Sequence, residues 1–192
     1  MLKHSLIKTF TLFSLFTFIL TGAVLSYFIS DHIKSVQYMN LQETAQLAAD
    51  SLAGFNLNET LTASHQKTII ADLKSSLNLY KPQLIMLFNK NKDSVVANGA
   101  QPQNLNAEIL NIVEQVQREG KAVTKEYKGG NAAGILDNGS VIDVYVPIVH
   151  GNEINGVLLL QIQGEIINKH VKTLIKTIVM TLTGGLLILY IL

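Results

Sequence analysis

The 192-residue chain contains no cysteine. Disulfides, thiolate metal sites and thiolate nucleophiles are therefore excluded. It holds one arginine, Arg118, and 15 basic against 14 acidic residues leave a formal net charge of +1. A balance this close to neutral supplies no global field for nucleic acid or an acidic partner. His4, His32, His65, His150 and His170 are far apart, and none has a ligand-spaced His or acid beside it. Gly129, Gly130, Gly134 and Gly139 lack the lysine and hydroxyl ending of a phosphate loop. Asp137-Asn138-Gly139 reads as a turn, because the spaced oxygens and closing glutamate of a calcium loop are missing. No carboxylate pair can be assigned to acid–base work. The expectation is a segment with no catalytic residue, no metal and no cofactor.

Two long apolar runs are present. Thr9 to Ile29 carries no charged residue and would span roughly 31 Å as a helix, about one hydrocarbon core. Lys3, His4 and Lys8 precede it, and Asp31 is the first acid after it. A cleavable signal peptide would have its small residues at Thr21 and Ala23, but the run continues through Val24, Leu25, Tyr27, Phe28 and Ile29. That length favours an uncleaved anchor. Thr173 to Leu192 has one charge, Lys176, near its start, where a lysine can keep its ammonium at the interface. The expected organisation is 1–8 on the cytoplasmic side, a first span at 9–29, an extracytoplasmic domain at 30–172 and a second span at 173–192. Lys3 and Lys8 favour a cytoplasmic N-terminus, whereas Lys34, Lys169, Lys172 and Lys176 oppose it; the first helix usually decides. An output domain is expected to follow the second span.

The middle region has a soluble composition and enough length for its own core. Asp31 to Leu52 reads as a helix with two apolar sets. Tyr38, Leu41, Ala45, Ala48 and Leu52 form one, and Ile33, Val36, Met39 and Leu47 the other. The first suits the domain core and the second suits a partner copy, although one broad core face explains both. Gly54 is the expected stop. Ser64 is the expected cap of a helix from His65 to Leu79 that Pro82 closes off. Leu84–Phe88 and Ser94–Ala97 read as a hairpin around NKNKDS. Pro102 lies in a linker. Asn104 or Asn106 would cap a helix reaching Glu119, with Gly120 as its C-terminal cap. Ala122–Tyr127 alternates and reads as a strand, Ser140–Val149 and Ile154–Gln163 read as two more, and the glycine-rich KGGNAAGILDNG joins the first two. A closing helix, Glu165–Lys172, enters the second apolar run. Gly156 would permit a bulge or close packing.

VIDVYVPIVHGNEINGVLLLQI (Val141–Ile162) resembles the closing hairpin of extracytoplasmic PAS-like (single Cache) sensor domains. LIMLFNKNKDSVVANG (Leu84–Gly99) is similar to their first hairpin. VLSYFISDHIKSV running into ETAQLAADSL resembles the span-to-helix junction of membrane-bound diguanylate cyclases and histidine kinases. The resemblance implies an α+β fold: a five-stranded antiparallel sheet with a long N-terminal helix, flanked by two transmembrane helices. It also implies a signal-sensing input module in a bacterial inner membrane, with a small ligand bound outside the cytoplasm and an output domain such as a cyclase or kinase. The arginine- and aromatic-rich pocket motif of amine- and amino-acid-binding Cache domains is missing, so the resemblance names no ligand.

In such folds one sheet face packs on the long helix and the other lines the pocket. Along the fourth strand Ile142, Val144, Val146 and Ile148 point one way, and Val141, Asp143, Tyr145 and Pro147 the other. The aliphatic set suits the helix. Asp143 and Tyr145 suit a pocket with a few polar groups, and Lys125 and Tyr127 can join them from the third strand. An acid beside an ammonium would recognise a zwitterion, or the two would simply hold each other. A face that is merely half exposed to water is the plainer alternative. The competing function is a non-sensing, membrane-anchored module for homodimerisation or protein-partner binding.

Overall fold

The computed structural model describes residues 2–55, 57, 61–98, 107–127 and 140–191. The chain divides into two compact units. One is Gln37–Ile167, and the other combines Met1–Val36 with Asn168–Leu192.

The elements follow the expected order. They are α1 (Leu2–Asp50), α2 (Ala63–Ser76), β1 (Leu84–Asn89), β2 (Ser94–Asn98), α3 (Ala107–Glu119), β3 (Val123–Tyr127), β4 (Val141–His150), β5 (Glu153–Gln163) and α4 (Gly164–Ile191). With no proline before residue 82 and a single glycine, Gly22, before Gly54, nothing interrupts α1. Its last turn gives way to turns at 51–54. The cap of α2 is Thr62, not the expected Ser64: Thr62 is extended and its hydroxyl accepts from the His65 N–H at 3.4 Å. The Ser64 carbonyl instead accepts from the Thr68 hydroxyl inside the helix. α2 stops at Ser76, earlier than expected, and turns carry the chain to Lys81, whose φ of 46° is outside the right-handed helical region. Gly120 caps α3 as expected, with φ +64° and its N–H on the Val116 carbonyl. The linker at 101–103, the caps Asn104 and Asn106, and the connection 128–139 lie outside the described residues.

The five strands form one antiparallel sheet in the order β2-β1-β5-β4-β3. β5 and β4 pair over their whole length, and β1 closes on β5 from Leu84↔Gln161 to Asn89↔Gly156. At Gly156 a Cβ would run into the Phe88 carbonyl oxygen and come within 2.8 Å of Leu57 Cδ1. Only a glycine lets the strands and the segment at Leu57 approach this closely. The ladder also shifts register next to it, between Ile148 and Val149.

Alternation places the two sheet faces in different company. The Gln42 amide donates to the Thr124 hydroxyl (2.8 Å) and the Tyr38 hydroxyl to Glu126 (2.9 Å). Thr124 and Glu126 pair with Val144 and Ile142, so α1 from residue 37 onward covers the aliphatic face. Leu41, Ala45, Ala48, Ala49 and Leu52 are buried there. The small alanines let helix and sheet come close. The opposite face buries Leu84, Met86, Phe88, Tyr145, Val157 and Leu159 against Ile109, Ile112, Val113 and Val116 of α3.

In the other unit, the Thr17, Thr21, Thr173, Thr177 and Thr181 hydroxyls each donate to the carbonyl four residues earlier. Phe13, Phe16, Val24, Tyr27, Phe28, Leu174, Val179 and Met180 are exposed. Among the described residues, no helix is long and apolar enough to cross a membrane. Most side chains of the runs 9–29 and 173–192 lie outside the described set.

Candidate functional site

The four candidate residues converge on the α3 face of the sheet, at the end of the apolar core. Asp143 and Tyr145 project from β4 with two-residue spacing, and Lys125 and Val123 face them from β3 in the register Lys125↔Asp143 and Val123↔Tyr145. Tyr127 follows on the same side of β3. The half-exposed alternative fails for Asp143 and Tyr145: both are 0% exposed.

Two further residues complete the cluster. Gln161 pairs with Asp143 across β4 and β5 and donates from Nε2 to Asp143 Oδ1 at 2.9 Å. The Tyr145 hydroxyl donates to Asp143 Oδ2 at 3.4 Å. Glu108, in the first turn of α3, accepts from the Tyr127 hydroxyl at 3.1 Å and from Lys125 Nζ at 3.3 Å, both on Oε1. The Lys125 ammonium is thus held by Glu108. Gln161 Oε1 is buried without a hydrogen-bond partner. An acceptor stranded in this way costs about 1–3 kcal/mol unless something donates to it.

Burial pushes the Asp143 carboxyl up from 3.8 to about 6, against the lowering effect of its bonds from Gln161 and Tyr145. Burial, followed by the field of Asp143, pushes the Tyr145 and Tyr127 phenols up. Both phenols stay protonated and remain donors. The cluster therefore presents two carboxyl groups, two phenol donors, one ammonium and one unpartnered carbonyl. Among the described residues no group of His, Cys, Asp and Glu is arranged to hold a metal ion.

The sequence contained a signal for Gln161, a lone amide within the apolar β5 run VLLLQI at the parity of Leu159. It contained none for Glu108, which only the placement of α3 across the sheet brings to Lys125 and Tyr127. Arg118 is far along α3, paired with Glu119 at 3.3 Å.

This arrangement, a long helix on one face of a five-stranded antiparallel sheet and a shorter helix on the other, is a PAS-like (Cache) fold. Among solved structures the chain is similar to the sensory domain of the Campylobacter jejuni chemoreceptor Tlp3 with isoleucine bound, at TM-score 0.56 and 14% identity, covering 74% of this chain and 60% of that one. The same Tlp3 domain in complex with L-norvaline gives 0.55 and 13%, covering 74% and 59%. The ligand-binding domain of the Pseudomonas aeruginosa PAO1 amino-acid chemoreceptor PctC, in complex with GABA, gives 0.51 and 14%, covering 76% and 66%. The chain thus spans about three fifths of the Tlp3 domain. No family model and no curated protein matches it. At such identities the likeness establishes the fold.

Proposed function

We propose that this chain is the ligand-sensing input module of a bacterial transmembrane receptor, and that its site takes a small molecule carrying a protonated amine. The carrying observation is the buried Asp143–Gln161–Tyr145 cluster with its stranded Gln161 Oε1. An ammonium group can donate to Asp143 and to that carbonyl together. Two carboxyl groups against one lysine leave the site short of one positive charge once Asp143 is ionised. Isoleucine, L-norvaline and GABA, the ligands of the similar domains, each carry an amine, which supports this reading. Lys125 and the tyrosines are suited to a carboxylate at the other end of such a molecule.

The flanking runs 9–29 and 173–192 serve as membrane spans, with 30–172 outside the cytoplasm. The threonine hydroxyls at 17, 21, 173, 177 and 181 support this, since a bond to the carbonyl four residues back pairs each of them without water. So do the exposed aromatic and aliphatic side chains of both runs. Ligand binding would favour one of two arrangements of the domain and shift α1 and α4, which lead to the spans and on to an output domain. A second copy would cover the exposed Met39 and Leu47 of α1.

The test is thermal stabilisation of the purified full chain by a panel of amines and amino acids that includes isoleucine, L-norvaline and GABA. A true ligand at 100 times its Kd stabilises by about 2.7 kcal/mol, and Asp143→Asn should abolish that gain. A broad panel without a hit, beside a tight homodimer or a captured protein partner, would support the non-sensing module instead. Protease added to spheroplasts should digest the middle domain if it lies outside.

A further inference from the structure

α1 is tied to the sheet along its domain portion by a file of polar contacts. Tyr38, Gln42 and Gln46 are spaced four apart, on one stripe beside the apolar one. Tyr38 donates to Glu126 and Gln42 to Thr124, both on β3. Gln46 donates to the Pro147 carbonyl of β4 at 3.0 Å. Just beyond the helix, the Ala53 carbonyl lies 2.6 Å from His150 Nδ1 and the Phe55 carbonyl accepts from the Asn155 amide at 3.1 Å. The end of α1 that leads into the turn is therefore fixed to the central β4–β5 hairpin. The end that leads back to the N-terminal run is fixed to β3.

These two anchorages differ in stiffness. β4 and β5 are long and central, with eight of ten and seven of eleven residues buried. β3 has five residues, all half-buried, and sits at the edge of the sheet with β4 as its ladder neighbour. A short edge strand bonded on one side moves at lower cost than a central one. Its residues also alternate between the two functional faces. Thr124 and Glu126 face α1, whereas Lys125 and Tyr127 face the site and share Glu108 Oε1.

We propose that β3 is the relay between site and transmission helix: a change in the partners of Lys125 and Tyr127 displaces the strand and, through Thr124 and Glu126, swings the Tyr38 end of α1 about its anchor at Gln46 and His150. This rests on the reading of the Asp143 cluster as the ligand site. With its amine on Asp143, the carboxylate at the other end of such a ligand competes with Glu108 Oε1 for Lys125 and Tyr127. Glu126 and Thr124 are then positioning residues that touch no ligand. The Tyr38 phenol is suited to its role, because burial and the Glu126 carboxylate raise its pKa and keep it a donor.

The test needs no ligand. The six tyrosines of the full chain in detergent are replaced by 3-fluorotyrosine, and the Tyr38 and Tyr145 resonances are assigned with Tyr38→Phe and Tyr145→Phe. Glu108→Ala frees Lys125 and Tyr127 and should move the Tyr38 fluorine resonance by more than its line width. In a background that carries both Thr124→Val and Glu126→Ala, the same substitution should leave it where it was. Tyr127→Phe, which removes one hydroxyl, is the gentler variant and should move Tyr38 in the same direction. A Tyr38 resonance unmoved by either site variant overturns the relay. So does a response to Glu108→Ala of equal size with and without the Thr124 and Glu126 side chains, because the signal then bypasses the β3 contacts with α1. A failed ligand panel bears on the site, and a silent Tyr38 bears on the relay, so the two failures are distinct.

Discussion

Gln161 donates to Asp143 Oδ1 at 2.9 Å across β5 and β4, and both side chains are at most 2% exposed. Nothing in the described residues donates to the Gln161 oxygen, Oε1. An ionisable group buried beside an unpartnered acceptor is retained at a cost to stability, and that cost is measurable.

Asp143 titrates at about 6 in the folded chain against an ordinary 3.8. The folded state therefore holds a proton that the unfolded state releases between these values. Its contribution to stability is fully present below pH 4 and is lost as pH rises through 6, a difference on the order of 3 kcal/mol. Asp143→Asn should remove this dependence. Melting curves between pH 4 and 8 should show the variant more stable than the parent at pH 7.5, with the gap closing towards pH 4. Equal gaps at both ends would refute the buried titration.

Gln161→Leu removes the bond that lowers the Asp143 pKa. The carboxyl carbon resonance of Asp143 should then titrate at higher pH than in the parent. An unchanged or lower midpoint would mean that Gln161 does not support the charged form.

An ammonium ligand favours ionised Asp143. Affinity for any amine found in the panel should be constant above pH 7 and fall towards tenfold per unit below about 6. Calorimetric titrations at pH 5 and 7.5 would check it, and pH-independent binding would remove Asp143 from the site.

Gly156→Ala puts a methyl group into the Phe88 carbonyl and close to Leu57. A backbone obstacle cannot rotate away, so the cost should be at least ~2 kcal/mol, at the upper end for overpacking. Leu159→Ala, opposite α3 in the core, should cost roughly 2–5 kcal/mol. Urea midpoints report both, and a loss under 0.5 kcal/mol at either would contradict the packing.

Leu47 is 72% exposed on α1. Leu47→Glu should leave the urea midpoint measured at low protein concentration unchanged, and should shift a dimer towards monomer in sedimentation. An undisturbed dimer would place the partner face elsewhere.

Much of the fold was legible because period and punctuation are local properties. The alternation in VIDVYVPIV separated Asp143 and Tyr145 from Val144 and Val146 before any neighbour was known, since a strand sends successive side chains to opposite faces. Gly120 announced the end of α3, where only a residue tolerant of positive φ fits easily. The α2 cap lies two residues before the expected Ser64 because Thr62 and Ser64 offer the same chemistry, and the choice falls on the hydroxyl that meets a helix N–H. The site was half legible. Its strand residues carried a two-residue rhythm, whereas Glu108 reaches Lys125 and Tyr127 across a separation of 17 and 19 residues.

The sequence by itself determined the element order, the continuous helix from the apolar run into the domain, and which strand residues share a face. These follow from steric limits that act over a few residues. Tertiary structure decided which face α1 covers at Thr124 and Glu126, how Lys125 is paired, and that Asp143 and Gln161 are buried together. Those outcomes depend on how the sheet closes and where each helix lies across it. The same closure that shuts water away from Asp143 raises its pKa and leaves Gln161 Oε1 waiting for a donor.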